Sequence, residues 1–181
     1  MKITTAQRNL AIIGGPTKKR VESIATVLRG SEMLPKGGRG PHAPDATAYQ
    51  VALFTLAVAG ADRIADAAEV ALCLADLVDR NGVKLADVVT AAIGCSEEAA
   101  TIRYIRVSPA LPMAEVTYRR EGQADTIERH FAPALWASPG FKPEAQGQAY
   151  VGPIGHIGGA ALMQMALDYA GPVSAGWIEG N

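Results

Sequence analysis

With 181 residues, 49% of them hydrophobic, and a formal net charge of −1, the chain is long enough for one ordinary domain or two small ones and too apolar to be disordered throughout. Its strongest apolar run, VALFTLAVAGA at 51–61, is too short to cross a hydrocarbon core and is followed at once by Asp62, Arg63 and Asp66, so no membrane partner is expected. The start, MKITTAQRNL, lacks a secretory h-region and cleavage site, which makes a cytoplasmic location the expectation.

The near-zero total conceals an asymmetry. Residues 1–50 carry eight Lys/Arg and three Asp/Glu, for +5, whereas residues 51–100 carry three and eight, for −5. A basic surface for a polyanionic partner therefore belongs in the first 50 residues. Cys73 and Cys95 are too few for a disulfide framework and fit no C-x-x-C or Cys/His pattern, so two reduced thiols are expected. Lone cysteines are mostly buried small residues; the alternative for Cys95, a nucleophile, would need a nearby His base.

Thr4-x-x-Gln7 matches a capping box before Ala6, Leu10 and Ile13, predicting a helix over 4–13. Gly14-Gly15-Pro16 ends it, because glycine accepts a left-handed cap and proline cannot continue the ladder. Thr17 then caps a second helix, with Val21, Ile24, Ala25 and Leu28 as a narrow apolar stripe, Lys19, Glu22, Ser23 and Thr26 opposite, and Lys18 and Arg29 on the flank. Gly30 is expected to close it, and 33–44, rich in Gly and Pro, reads as a loop carrying Lys36 and Arg39.

Asp45 or Thr47 caps a helix over 47–60, apolar on nearly every side and so central. A helix over 63–80 should place Ile64, Ala68, Ala71, Leu72, Ala75 and Val78 on one side and stop at Asn81-Gly82; residues 84–93 add a short one. After Gly94 the pattern changes to β-branched and aromatic residues in TIRYIRV, AEVTYRR and ADTIERHF, with a hairpin turn at Glu121-Gly122-Gln123. A small antiparallel sheet is expected, then a Pro/Gly-rich stretch over 132–157 and a helix over 158–170. The expected fold class is α+β, with a helix-turn-helix and alanine-rich helical domain over 1–96 and a small α+β domain over 97–181.

Residues 4–30 supply the parts of a helix-turn-helix: a short supporting helix, a Gly-containing turn and a second helix whose start can enter the major groove. Lys18, Lys19 and Arg20 would meet phosphates there, and Arg29 lies further along. Lys19, Ser23 and Thr26 would face bases, with Glu22 able to accept from cytosine N4. Lys36-Gly37-Gly38-Arg39-Gly40 has the chemistry of a wing that follows the backbone or minor groove. The plain alternative is a solvated helix start and a flexible loop.

Across 21–58, VESIATVLRGSEMLPKGGRGPHAPDATAYQVALFTLAV resembles the order of MerR-type winged helices: recognition helix, Leu-Pro step, Gly/Arg wing, capped helix. The segment is also similar to proteins of alphaproteobacterial prophages and gene transfer agents that carry Leu-Pro-x-Gly-Gly-Arg-Gly-x-x-Ala-Pro. The resemblance implies a phage-associated transcription factor.

Other chemistry is poorly represented. Gly14 to Lys18 lacks P-loop spacing, and Gly152, Gly155, Gly158 and Gly159 fit turns and close packing better than a nucleotide fingerprint. His42, His130 and His156 show no ligand spacing, and Glu97 and Glu98 read as surface, so no catalytic residue, metal or cofactor is expected. Trp136, Phe141, Tyr150 and Trp177 are candidate anchors for a homodimer or larger oligomer. The expected function is sequence-specific duplex DNA binding in transcription, with the transcription machinery as a candidate partner; a small terminase-type packaging protein, or an adaptor or structural component without DNA affinity, are the alternatives.

Overall fold

A computed structural model describes residues 1–13, 16–36, 42–108, 112–119, 126–134 and 155–170. Among the described residues seven α-helices, α1 (Ile3–Ile13), α2 (Lys18–Gly30), α3 (Ala48–Gly60), α4 (Ala67–Ala75), α5 (Leu85–Gly94), α6 (Ser96–Thr101) and α7 (Gly159–Ala170), combine with four strands, β1 (Ile102–Ser108), β2 (Met113–Arg119), β3 (Thr126–Phe131) and β4 (Gly155–Gly158). The class is α+β, with the helical block first and a carboxy-terminal helix after the sheet, as the sequence predicts. No described helix is long and apolar enough to cross a membrane.

α3 is the centre. Val51 to Val58 are buried without interruption, and α1, α2, α4, α5 and β4 all pack on it. Thr47 caps it in a reciprocal capping box with Gln50, satisfying two backbone donors at once. α1 begins a residue before the predicted box: the Lys2 carbonyl receives the Thr5 and Ala6 amides, so Thr4 lies inside the helix. Gly30 does not cap α2. Glu32, at φ 63°, takes the left-handed position, with Glu32 N–H on the Arg29 carbonyl and Met33 N–H on that of Leu28, the pattern of a Schellman motif.

The predicted 63–80 helix is shorter and rotated. A 3-10 turn at Ile64–Asp66 leads into α4, whose buried residues are Ala67, Ala71, Leu74 and Ala75, while Leu72 is 49% exposed. The helix stops at Ala75 because the chain ahead has stronger partners. Val78 pairs with Lys84 and Ala132, and the Asp79 carboxylate accepts from the amides of Asn81 and Val83, both at 2.9 Å. A side chain that bonds its own backbone downstream competes with the helix ladder.

The sheet order is β3-β2-β1-β4, every pair antiparallel. Ile105 is in register with Val116 and Ile157, and Val107 with Ala114 and Gly155; these residues, with Phe131, meet the helices as one buried face. His130, Glu115, Arg106 and His156 form the row beside them, on the opposite face because strand side chains alternate. α7 closes the structure against α1, α5, α6, β1 and β4. One continuous core joins Ile3, Leu28 and Phe54 to Ile105, Phe131 and Met165, residues from both sides of position 96.

Candidate nucleic-acid interface

α2 starts as its sequence dictates. Thr17 is extended at φ −64° and ψ 147°, and its Oγ1 accepts the Arg20 amide at 3.3 Å, a cap worth about 1 kcal/mol. Val21, Ile24, Ala25 and Leu28 are wholly buried, which leaves Lys18, Lys19, Glu22 and Thr26 exposed and Ser23 and Arg29 half-buried. The first turn holds three cations and no carboxylate, against the preference of a helix dipole for negative charge at this end, about 0.3–1 kcal/mol for each misplaced charge.

Each cation is treated differently. Arg20 turns away from the candidate interface: its guanidinium donates to the Ala61 carbonyl and, at 3.2 and 3.3 Å, to that of Asp62. It ties the start of α2 to the end of α3, where carbonyls lack helical partners. Lys18 lies 3.9 Å from Glu22, both exposed. Lys19 has no carboxylate within 4 Å among the described residues. Thr26 donates its hydroxyl to the Glu22 carbonyl at 3.0 Å, so only its oxygen lone pairs and methyl face outward. Arg29 sits in the last turn, where the dipole favours it.

Beyond α2, Lys36 Nζ donates to the Glu32 carboxylate at 2.8 Å. Such exposed pairs contribute about 0–1 kcal/mol and yield readily to a phosphate. Lys18 and Lys36 thus stand near opposite ends of a 13-residue helix, about 20 Å apart along its axis. Gly14, Gly15, Gly37, Gly38, Arg39 and Gly40 lie outside the described residues, as do the 121–123 turn, Gly152 and the four C-terminal aromatic residues. The α2 face is not uniformly basic in its setting: the 3-10 turn and α4 pack beside it, and Asp62, Asp66 and Glu69 there are exposed.

A polar centre that sequence reading passed over lies at Asp79. Only 3% exposed, its carboxylate receives Arg129 Nε at 3.1 Å and Nη2 at 2.5 Å, while Arg129 Nη1 donates to the Tyr118 hydroxyl at 3.4 Å. Burial by itself would raise the Asp79 pKa; the Arg129 hydrogen bonds, the Val83 and Asn81 amides and the Arg129 charge outweigh it and hold the group below 3.8. Arg129 also lies over the rings of Phe131 and Tyr118, 5.5 and 5.9 Å from their centroids. This network pins the α4–α5 turn to β3 and is structural in character. The Asn81-Gly82 turn signal, with an Asp two residues upstream, was the available clue; its strand partner was not.

Cys73 is exposed, contrary to the expectation of a buried thiol; partial burial, then Glu69 and Asp76, push its pKa up, away from thiolate chemistry. Among the described residues no three His, Cys, Asp or Glu side chains converge as a metal site. His130 and His156 share a row of the sheet but stand on opposite edge strands. No known protein family, curated relative or solved structure matches the chain.

Proposed function

We propose that the chain binds duplex DNA sequence-specifically through α2 and regulates transcription, of phage-type genes as the likeness over 21–58 implies. The observation that carries this reading is the start of α2. Cations at a helix amino terminus work against the helix that holds them; Arg20 is held by carbonyls of the fold, Lys18 has a loose exposed pair with Glu22, and Lys19 has no carboxylate within 4 Å among the described residues. Lys18 and Lys19 remain outward, where a phosphate would be attracted by both the side chains and the dipole. Lys18, Lys19, Arg29 and Lys36, with Arg39, are the proposed backbone contacts. Glu22, Ser23 and Thr26 are the proposed base readers, and Arg20 serves to orient the helix.

A second reading, a protein adaptor without DNA affinity, draws support from the pairing of Lys18 with Glu22 and of Lys36 with Glu32. Titration of labelled genomic fragments at two salt concentrations separates the two. Binding at low salt that differs among fragments supports the regulator; no binding supports the adaptor, and identical binding on every fragment removes sequence specificity.

A further inference from the structure

Between the bridged residues Val78 and Lys84, Asn81 and Gly82 lie at the tip of a tight turn, and both are exposed. The Gly82 N–H donates to the Asp79 carbonyl and the Asp79 N–H to the Val83 carbonyl, each at 3.0 Å, while Gly82 sits at φ 77°. These are the marks of a three-residue hairpin loop closed by a glycine bulge. No atom stands within 4 Å of where a Gly82 Cβ would lie, so the position calls for glycine by its backbone angle alone.

In an Asn-Gly pair the second backbone nitrogen reaches the preceding side-chain amide readily, because no β-carbon obstructs its approach. The Gly82 nitrogen gives its proton to solvent and attacks Asn81 Cγ; the Cγ–Nδ2 bond breaks, and ammonia leaves with a proton taken from water. Water then opens the five-membered imide to an aspartyl or isoaspartyl residue, with no change of oxidation state. Exposure of the pair admits that water. Asn9 offers none of this: Leu10 follows it, it is only 4% exposed, and its Nδ2 donates to Asp168 at 2.8 Å.

The turn opposes the attack. The N–H of the nucleophile is held by the Asp79 carbonyl, and Asp79 Oδ1 fixes the amides on either side of it, Asn81 and Val83, at 2.9 Å. The same carboxylate repels the negative charge that develops on the Gly82 nitrogen. Reaction must therefore await a local opening of the turn. We propose that Asn81 is a site of spontaneous deamidation whose rate is set by the Asp79 carboxylate. Asn81 Nδ2 lies 3.5 Å from Asp79 Oδ2, so the product sets a second carboxylate, or an extra backbone methylene, against the group that holds Arg129. The assignment is independent of what α2 binds.

The whole chain, kept folded at mildly alkaline pH and in parallel unfolded in guanidinium, is digested at intervals, and the peptide carrying position 81 is assayed by mass and by isoaspartyl methylation. Unfolding should speed modification by at least about tenfold, the worth of one charge-assisted hydrogen bond. Asp79→Ala should speed it about tenfold in the folded chain. Asp79→Asn, which keeps an acceptor for both amides, and Arg129→Ala, which breaks the same ion pair but spares the bonds of Asp79 Oδ1, should stay near the wild-type rate. If Asp79→Ala does not fold, amide exchange of the wild type replaces it, with Gly82 and Val83 protected at least about tenfold. Equal rates folded and unfolded, an Asp79→Ala rate no higher than that of Arg129→Ala, an unprotected Gly82 amide, or modification of Asn9 as fast as that of Asn81 would each overturn the proposal.

Discussion

Replacing Asp79 with alanine removes the acceptor for Arg129 Nε and Nη2 and for the amides of Asn81 and Val83. At a separation near 3 Å and an effective dielectric constant of about 20, the Asp79–Arg129 attraction is about 5 kcal/mol before desolvation. Desolvation of a carboxylate only 3% exposed takes back much of this, and breaking such a pair from one side costs about 3–5 kcal/mol. Arg129 retains 30% side-chain exposure and regains water, which places the expected loss near the low end, about 3 kcal/mol. For a chain of this size that is a drop of about 6–12 °C in thermal midpoint. The sign of the pH dependence follows from the depressed pKa: Asp79 contributes stability above its unfolded value, and that contribution is lost as pH falls through the folded one. Wild type should therefore lose, below about pH 4, an increment that Asp79→Asn lacks. Thermal unfolding of the two single alanine variants and the Asp79→Ala/Arg129→Ala double variant, repeated across acid pH, measures this. A midpoint loss under about 2 °C, or single-variant losses that simply add, would refute the coupling.

Arg20→Ala should cost about 1–2 kcal/mol by chemical denaturation, the loss of charge-assisted bonds to the end of α3, while leaving the salt dependence of DNA binding unchanged; a changed slope would mean Arg20 touches phosphate. Glu32→Gly relieves a left-handed non-glycine residue at φ 63° and should stabilise by up to about 1 kcal/mol, and it also frees Lys36, so DNA affinity should rise; lower stability would show that the Lys36 pair outweighs the backbone strain. Thr26→Ala should alter fragment preference by about 1–3 kcal/mol at a single base position with little change in average affinity, checked by competition among mutated sites.

Local signals carried most of the helical block. Thr17 and Thr47 cap where their side-chain chemistry places them, and the unbroken apolar run of α3 is central because no polar face constrains it to the surface. What failed depended on distant partners. Apolar spacing extended α4 through Val78, but Ala132 and Arg129, far along the chain, claim Val78 and Asp79. β4 was invisible because GHIG has two residues with side chains and takes its strand form from β1 alone. Glu97 and Glu98 are exposed as expected, but the short α6 that carries them, anchored in the core by Ala99, was not anticipated. In the candidate interface the outward set on α2 was legible from helical spacing. The diversion of Arg20 to α3 was not, since a guanidinium can reach a carbonyl on either side of its own helix.

The salt dependence of DNA affinity tests the central claim most directly. Lys18, Lys19, Arg29, Lys36 and Arg39 are the five proposed phosphate contacts; if each neutralises a phosphate, log Kobs against log salt should fall with a slope of about −4.5, or roughly five-hundredfold between 50 and 200 mM. Anisotropy titrations on a preferred fragment should give that slope for the wild type and one shallower by about one unit for Lys19→Glu. A flat dependence, or a slope that Lys19→Glu leaves unchanged, would contradict binding through the start of α2.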